Sequence, residues 1–329
     1  GIWEFHPEGG EPSTIPVPAQ WTHGASLDLP AAWAQVRCAT YARSLKLPSH
    51  RPGRLLRLRF AAVMLIAQVR LAGELLGTHR GGFTPFILEV PDSLWQRFGG
   101  GDVRLEVAVE SGQAAMVDGR CLHQIGYPDD NEEGPIPGGI WQPVTLEELP
   151  LAQVVTWTSR WRHAGRRLTL VVTTDNAPAV ARVRLSLGRG VNRVSAIWRV
   201  RQGRAQGTLL LSSGLDEWSW RTPVLHQLRL ELLDAQGVVL DRRDDRLGLR
   251  EMAIRGRTLH WNGEALRLRG LSLIRHRVAP WLWRRDYLRL WFGMLRRLGF
   301  NSLRLHAAIA PTVVLEVMDE VGLVAIDQS

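Results

Sequence analysis

The chain has 329 residues, which predicts two or three domains rather than one. Apolar residues make up 45% of it and charged residues 22%, a balance typical of a folded chain rather than a disordered one. The formal charge is +9, and Lys46 is the only lysine. Because the arginines are scattered, with no block of five or more, this charge does not indicate a nucleic-acid-binding patch.

Cys38 and Cys121 are the only cysteines, too few for a disulfide framework and without the spacing of a zinc site. They could pair, but two separate thiols are favoured because nothing marks the chain as secreted. No apolar run is long enough to span a membrane, so no membrane partner is expected. The chain starts at Gly1 without a signal-like stretch, which indicates a trimmed N-terminus and favours the cytoplasm without establishing a location.

The first half of the chain predicts short antiparallel strands. Residues 54–60 and 103–109 alternate apolar and polar side chains, the pattern of half-buried strands. Turn signals punctuate them at Gly81-Gly82, Gly99-Gly100-Gly101 and Pro128-Asp129-Asp130. Many short strands with regular turns favour a sandwich or jelly roll.

A second block rich in strands follows a linker near Pro150. Residues 167–173, 181–187 and 228–232 read as strands, and residues 209–211 are a further candidate. A block of about a hundred residues with this pattern fits a small immunoglobulin-like sandwich.

The pattern changes near residue 255 to strands that alternate with helices. Residues 266–271, 302–305 and 323–326 read as strands. A helix is predicted from about residue 281 to 298, and another opens at Pro311-Thr312 and stops at Gly322. Strand, helix, strand, helix, strand predicts a parallel βαβ architecture.

The inward faces of the two helices follow from helical spacing. For the first helix the predicted set is Tyr287, Trp291, Met294, Leu295 and Leu298, and for the second it is Val313, Val314, Val317, Met318 and Val321. Two βα units and one further strand cannot close a barrel of eight. A parallel edge strand left unpaired at the chain end would aggregate, so we expect the native molecule to continue past Ser329 or a partner to supply the rest.

Nine segments, in order, resemble those of family 2 glycoside hydrolases, the β-galactosidase, β-glucuronidase and β-mannosidase group. Four lie in the first half: residues 15–21 (IPVPAQW), 41–48 (YARSLKLP), 77–86 (GTHRGGFTPF) and 138–144 (GGIWQPV). Five follow: residues 218–225 (WSWRTPVL), 247–251 (LGLRE), 261–270 (WNGEALRLRG), 301–304 (NSLR) and 318–323 (MDEVGL). The chain departs from the family at Gln142, Ser272 and Ile274, which leaves the substrate class open.

The resemblance implies a multidomain, mainly β chain. Its parts would be a jelly-roll sugar-binding domain (1–151), an immunoglobulin-like β-sandwich (152–252) and the first strands and helices of an incomplete (β/α)8 barrel (253–329). It also implies part of a retaining exo-β-glycosidase that hydrolyses terminal β-linked sugars. No cofactor and no metal are expected, and the partners would be a β-glycoside carbohydrate together with the missing barrel segment or a homo-oligomer.

Catalysis by such an enzyme needs a carboxylic acid and a nucleophilic carboxylate about 5–5.5 Å apart. In the family both are glutamates on later barrel strands than this chain contains, so we expect no catalytic residue here and no activity from this chain alone. The pair Asn131-Glu132 lies in the loop of the first domain, where no barrel strand precedes it, and is interpreted as a chance match. Glu320 and Asp327 are not assigned as nucleophile.

Four residues remain as candidate substrate contacts. Arg304 and His306 lie two apart near the end of the second barrel strand and so face one side. The alternative for them is an arginine that holds acidic groups and a surface histidine. His276 follows the first strand, and Glu133 occupies the position from which the family often sends an acidic side chain into the pocket; the alternative for Glu133 is a solvated charge run. Trp95 and Trp141 are interpreted as core aromatics.

A different function remains open. The chain could be a stand-alone carbohydrate-binding or scaffolding protein with a degenerate barrel. Nucleic-acid binding through the arginines is disfavoured.

Overall fold

The computed structural model describes residues 1–21, 29–111, 116–117, 120–121, 138–188, 190–211, 214–273, 284–306 and 309–327. Its elements fall into three groups along the chain, each with its own buried apolar cluster. The predicted order of a sandwich, a second sandwich and an α/β unit is confirmed.

The first group is a two-sheet sandwich. One sheet has the strand order β2-β1-β3-β8-β5-β6 and the other β11-β4-β7, and both contribute side chains to one core. A short pair, β9 and β10, stands apart from them. Its strands are β1 (Ile2–Pro7), β2 (Ser13–Pro16), β3 (Cys38–Lys46), β4 (Arg54–Phe60), β5 (Ile66–Leu71), β6 (Glu74–Arg80), β7 (Phe86–Val90), β8 (Asp102–Glu110), β9 (Met116–Val117), β10 (Arg120–Cys121) and β11 (Val144–Pro150). Its helices are α1 (Asp92–Phe98) and a 3-10 turn, Ala31–Gln35.

The alternation of buried and exposed side chains explains the register in which these strands pair. In β8 every second residue, beginning with Val103, is buried, and those between are wholly or partly exposed. A one-residue slip would turn the apolar set to solvent, so the register is strongly specified. The predicted strands 54–60 and 103–109 are confirmed as β4 and β8.

The second group is also a two-sheet sandwich, with strand orders β12-β13-β16 and β15-β14-β17-β18. All the pairings in it are antiparallel. Its seven strands match the size of an immunoglobulin-like sandwich. They are β12 (Gln153–Arg162), β13 (Arg167–Asp175), β14 (Arg182–Leu187), β15 (Val194–Arg199), β16 (Arg204–Leu210), β17 (His226–Leu233) and β18 (Val239–Leu247), with a 3-10 turn at Gly190–Asn192.

The third group begins with a small antiparallel sheet and continues as an α/β unit. Its three parallel strands have the order β22-β23-β24, with no closed barrel among the described residues. The elements are β19 (Met252–Arg255), β20 (Thr258–Trp261), β21 (Glu264–Ala265), β22 (Gly270–Leu273), α2 (Arg285–Arg297), β23 (Ser302–Leu305), α3 (Thr312–Val321) and β24 (Val324–Asp327).

Two details of the prediction were wrong in this unit. The first parallel strand is Gly270–Leu273, not residues 266–271. Leu266 is instead buried against Trp218, Trp220 and Trp261, and its backbone N–H donates to the Leu259 carbonyl, which takes the segment out of the parallel ladder.

The inward face of α2 was predicted only in part: Leu295 is buried as predicted, but most of the buried stripe lies one residue away from the predicted one. Leu288, Phe292 and Leu295 are buried, whereas Tyr287 is 39% and Leu298 73% exposed. Those buried positions form a helical stripe with the same period as the predicted one, rotated by about one residue. Helix α3 matches its prediction, since Val314, Val317 and Met318 are buried and Gly322 ends it at φ 86°.

The part of the chain that the structure describes contains no helix long and apolar enough to cross a membrane.

Candidate functional site

Arg304 lies on the face of the parallel sheet that points away from the helices. Its neighbours Leu303 and Leu305 are 1% and 0% exposed and pack into the core with α2 and α3. Because side chains alternate along a strand, Arg304 faces the other side. There its Nη1 donates to the Ser272 hydroxyl oxygen at 2.9 Å, across the register pair of β22 and β23.

His306 follows directly after β23. Its backbone N–H donates to the Leu273 carbonyl at 3.1 Å, which extends the ladder between β22 and β23 by one bond. The side chain is half-buried. Both predicted residues therefore stand at the carboxyl ends of the parallel strands, where α/β folds place their sites.

His276 and Glu133 lie outside the described residues, as does the Asn131-Glu132 pair.

Asn301 is a positioning residue that the sequence analysis did not single out. It is 6% exposed, its Oδ1 accepts the Arg269 N–H at 2.7 Å, and its Nδ2 donates to the Arg267 carbonyl at 2.9 Å. These bonds hold the segment that leads into β22 beside the start of β23. The Asn of the NSLR segment was the available signal, but spacing alone does not reveal a bond partner more than thirty residues away.

The Glu320 carboxylate accepts hydrogen bonds from three arginines. It accepts hydrogen bonds from Arg246 at 2.7 Å, Arg285 at 2.6 Å and Arg289 at 2.7 Å. Burial raises the pKa of this carboxyl, but the hydrogen bonds from Arg289 and Arg246 and the nearby positive charges outweigh it, so the pKa lies below its ordinary value. A carboxyl held ionised in this way is a poor proton donor.

The other acidic side chains of the unit do not approach Arg304 either. Asp319 accepts hydrogen bonds from Arg250. Asp327 pairs in register with Leu305, whereas Ile326 pairs with Arg304, so Asp327 lies on the opposite face from Arg304. The described carboxylates therefore supply no acid and nucleophile pair around Arg304.

The tryptophans of the first sandwich belong to its interior. Trp95 is 1% exposed and donates its indole N–H to the Pro48 carbonyl at 2.7 Å. Trp141 is fully buried and donates to the Gly82 carbonyl at 2.7 Å. The prediction that both are core aromatics is confirmed.

Two of the resembling segments meet at this point. Gly82 belongs to residues 77–86 and Trp141 to residues 138–144, and Gly139 exchanges both backbone hydrogen bonds with Met64 between them. Gly139 has φ 133°, a conformation in which a side chain would be strained, and a Cβ there would stand 2.8 Å from the Ala19 carbonyl oxygen. Segments more than fifty residues apart thus build one rim of the sandwich.

The described residues contain no group of three or more His, Cys, Asp or Glu side chains that could hold a metal ion. Cys38 is a free, partly buried thiol.

Comparison with known proteins gives a consistent relationship, although no family model matches the chain. A β-galactosidase of Thermoanaerobacter pseudethanolicus is 23% identical over 312 residues, which cover 88% of this chain and 39% of the relative. A putative β-glucuronidase of Formosa agariphila is 22% identical over 330 residues, 96% of this chain and 37% of the relative.

Among solved structures, a GH2 β-galacturonidase from Eisenbergiella tayi bound to galacturonate superposes with a TM-score of 0.75 at 24% identity, covering 99% of this chain and 56% of that one. The chain thus spans between 37% and 56% of the length of these proteins. In sequence and in fold, the chain is therefore similar to a portion of these proteins, and this similarity supports the resemblance to the N-terminal portion of family 2 glycoside hydrolases.

Proposed function

We propose that this chain is the non-catalytic N-terminal part of a retaining exo-β-glycosidase that hydrolyses terminal β-linked sugars. The observation that carries the proposal is the open parallel sheet β22-β23-β24, with Arg304 at its carboxyl end, which follows two sandwiches in a chain that superposes over 99% of its length on a GH2 β-galacturonidase. The two glutamates of the reaction would come from the remainder of the barrel, because the described acidic residues of the α/β unit do not gather around Arg304.

The proposed division into three domains follows the three apolar cores. Residues 1–151 would form the sugar-binding jelly roll, residues 152–252 the immunoglobulin-like sandwich, and residues 253–329 the start of the barrel. The three separate apolar clusters support this division.

Arg304 and His306 are the proposed substrate contacts in this chain. A guanidinium offers several N–H donors in a fixed plane, which suits a sugar hydroxyl or the orientation of a catalytic carboxylate. The Ser272 hydroxyl at 2.9 Å holds Arg304 in place without neutralising its charge. Glu133 remains a proposal that rests on the family resemblance, and His276 remains one that rests on its place after the first parallel strand.

Hydrolysis assays test the proposal. Purified residues 1–329 should turn over neither aryl β-galactosides nor aryl β-glucuronides, while a complete relative in the same buffer does. Measurable turnover by this chain would contradict it.

The gene itself supplies a second test. Its reading frame should continue beyond codon 329 into an Asn-Glu pair and a later glutamate. A stop codon directly after Ser329 would favour a stand-alone carbohydrate-binding protein instead.

A further inference from the structure

Helix α2 carries a second apolar face, and this one is exposed to solvent. The residues that form it, here called the α2 stripe, are Tyr287, Leu290, Trp291, Met294 and Leu298, whose spacing places them on one side of a helix. Leu290 is 63% and Met294 44% exposed. No charged residue of α2 falls on the same side. The stripe is about 16 Å long, so it is a continuous apolar surface rather than a scattered exposed leucine.

The α2 stripe lies on the flank of the helix that faces away from α3. On the opposite flank, Arg285 and Arg289 reach across to α3 and donate to the Glu320 carboxylate at 2.6 and 2.7 Å. With 3.6 residues per turn, the stripe and these arginines are each about a quarter of a turn from the buried face of α2, on opposite sides of it. Helix α3 therefore covers one flank of α2 and leaves the other open.

The edge of the sheet below the α2 stripe is open as well. In the described part of the chain, β22 is hydrogen-bonded on one side only, to β23. Leu271 of β22 points toward the helices, because it pairs in register with the buried Leu303. It is nevertheless 42% exposed. The stripe and Leu271 thus form one apolar surface beside an unpaired strand edge.

This surface has the form left where a strand and a helix are missing. In a closed barrel the last strand pairs with the first, and each helix of the outer ring has a neighbour on both flanks. Three turns of exposed apolar side chains match the length over which two helices pack. A second copy fits less well, because a two-fold axis that joined two stripes would set the two β22 edges antiparallel, whereas the described pairings of this sheet are parallel.

We propose that the α2 stripe and the free edge of β22 form the interface at which the barrel closes. The last helix of the barrel would pack on the stripe, and the last strand would pair with β22. The occupant is the C-terminal end of the chain beyond Ser329, so the inference rests on the proposed function, which places the rest of the barrel there. The solved GH2 β-galacturonidase offers room for such a segment, because the match covers only 56% of its chain.

The double variant Leu290→Gln with Met294→Gln tests the proposal in residues 1–329 and in the complete gene product. Glutamine preserves helix propensity. In residues 1–329 both side chains are exposed, so the melting temperature should stay within about 2 °C of the parent. In the complete protein it should fall by at least about 5 °C, because two amides would be buried against an apolar helix. Arg297→Gln, on the exposed outer side of α2, is the control and should shift neither protein by more than about 2 °C.

A complete protein whose melting temperature is unchanged by the double variant would overturn the proposal. Dissociation of an oligomer of the complete protein by the same variant, measured by analytical ultracentrifugation, would also overturn it and would assign the stripe to a second copy. A reading frame that stops after Ser329 would remove both this inference and the proposed function.

With a complete protein in hand, the two proposals can fail separately, because stability is measured without hydrolysis. A complete protein that hydrolyses no β-glycoside but is destabilised by the double variant would support the closing interface and contradict the glycosidase. An active complete protein whose stability the double variant leaves unchanged would do the reverse.

Discussion

Trp218 donates its indole N–H to the backbone carbonyl of Asp319 at 2.7 Å. Asp319 stands in the last turn of α3, where helix carbonyls lack partners within the helix. The second sandwich thereby caps a helix of the α/β unit. Arg250 reinforces the contact, since it lies over the Trp218 ring at 4.8 Å and is hydrogen-bonded to the Asp319 carboxylate.

Replacing Trp218 by Phe should lower the free energy of unfolding by about 1–3 kcal/mol, because a partly buried carbonyl loses its donor while most of the ring packing remains. Chemical denaturation followed by circular dichroism measures it. Trp291→Phe is the matched control: Trp291 is only half-buried, and its indole bonds to no described residue. An equal effect of both variants would show that the hydrogen bond is not the cause.

Glu320 should make the joint between the second sandwich and the α/β unit sensitive to acid. Its pKa is lowered in the folded chain, so its contribution is complete above the ordinary carboxyl value of about 4.3 and is lost as the pH falls through the lower, folded value. At neutral pH, Glu320→Gln should cost about 1–2 kcal/mol.

The measurement is the unfolding free energy of parent and variant between about pH 7 and pH 3. The difference should be constant at neutral pH and shrink below about pH 4. Glu264→Gln is the control, because the Glu264–Arg221 pair is exposed on both sides and should contribute less than about 0.5 kcal/mol. A difference in unfolding free energy between parent and variant that grows as the pH falls would contradict the lowered pKa of Glu320.

Two glycine substitutions should change the stability of the chain in opposite directions. Gly139→Ala should destabilise the chain by at least about 2 kcal/mol, because φ 133° is strained for alanine and the methyl would meet the Ala19 carbonyl oxygen and the Tyr41 hydroxyl. Gly293→Ala lies within α2, where a Cβ meets only the distant tip of Arg297 at 3.8 Å. It should stabilise by about 0.5–1 kcal/mol through helix propensity. Thermal unfolding of both variants measures these two changes in stability.

Replacing Arg296 should destabilise the chain more than replacing Arg304, because Arg296 is a structural arginine and Arg304 faces the surface. Arg296 donates to the Phe300 carbonyl at 2.6 Å and to the Trp220 carbonyl, and burial lowers its pKa. Arg296→Ala should therefore cost about 1–3 kcal/mol. Arg304→Ala loses one bond to the exposed Ser272 hydroxyl and should cost less than about 1 kcal/mol. A larger loss at Arg304 would indicate a structural role and weaken its assignment as a substrate contact.

Local patterns were enough to predict much of this fold. Strand β23 was predicted with both of its ends correct, because its apolar alternation is bounded by Asn301 and by the polar side chain of His306. Helix α3 could be predicted equally well, because a proline at its start and a glycine at its end mark both boundaries in the sequence. The order of nine short segments carried the family resemblance, although each segment alone is weak.

The sequence by itself determined the three-part order, the parallel α/β unit and the position of Arg304 near the end of a strand, because alternation, helical period and turn residues act over a few residues. Tertiary structure alone decided the start of β22, the buried face of α2 and the three arginines around Glu320. Each of these depends on partners distant in the chain: Leu266 leaves the ladder because tryptophans of the preceding segments bury it, and Glu320 is ionised because arginines of β18 and α2 converge on it. Such choices follow from packing energy between segments, and no local pattern records which segments will meet.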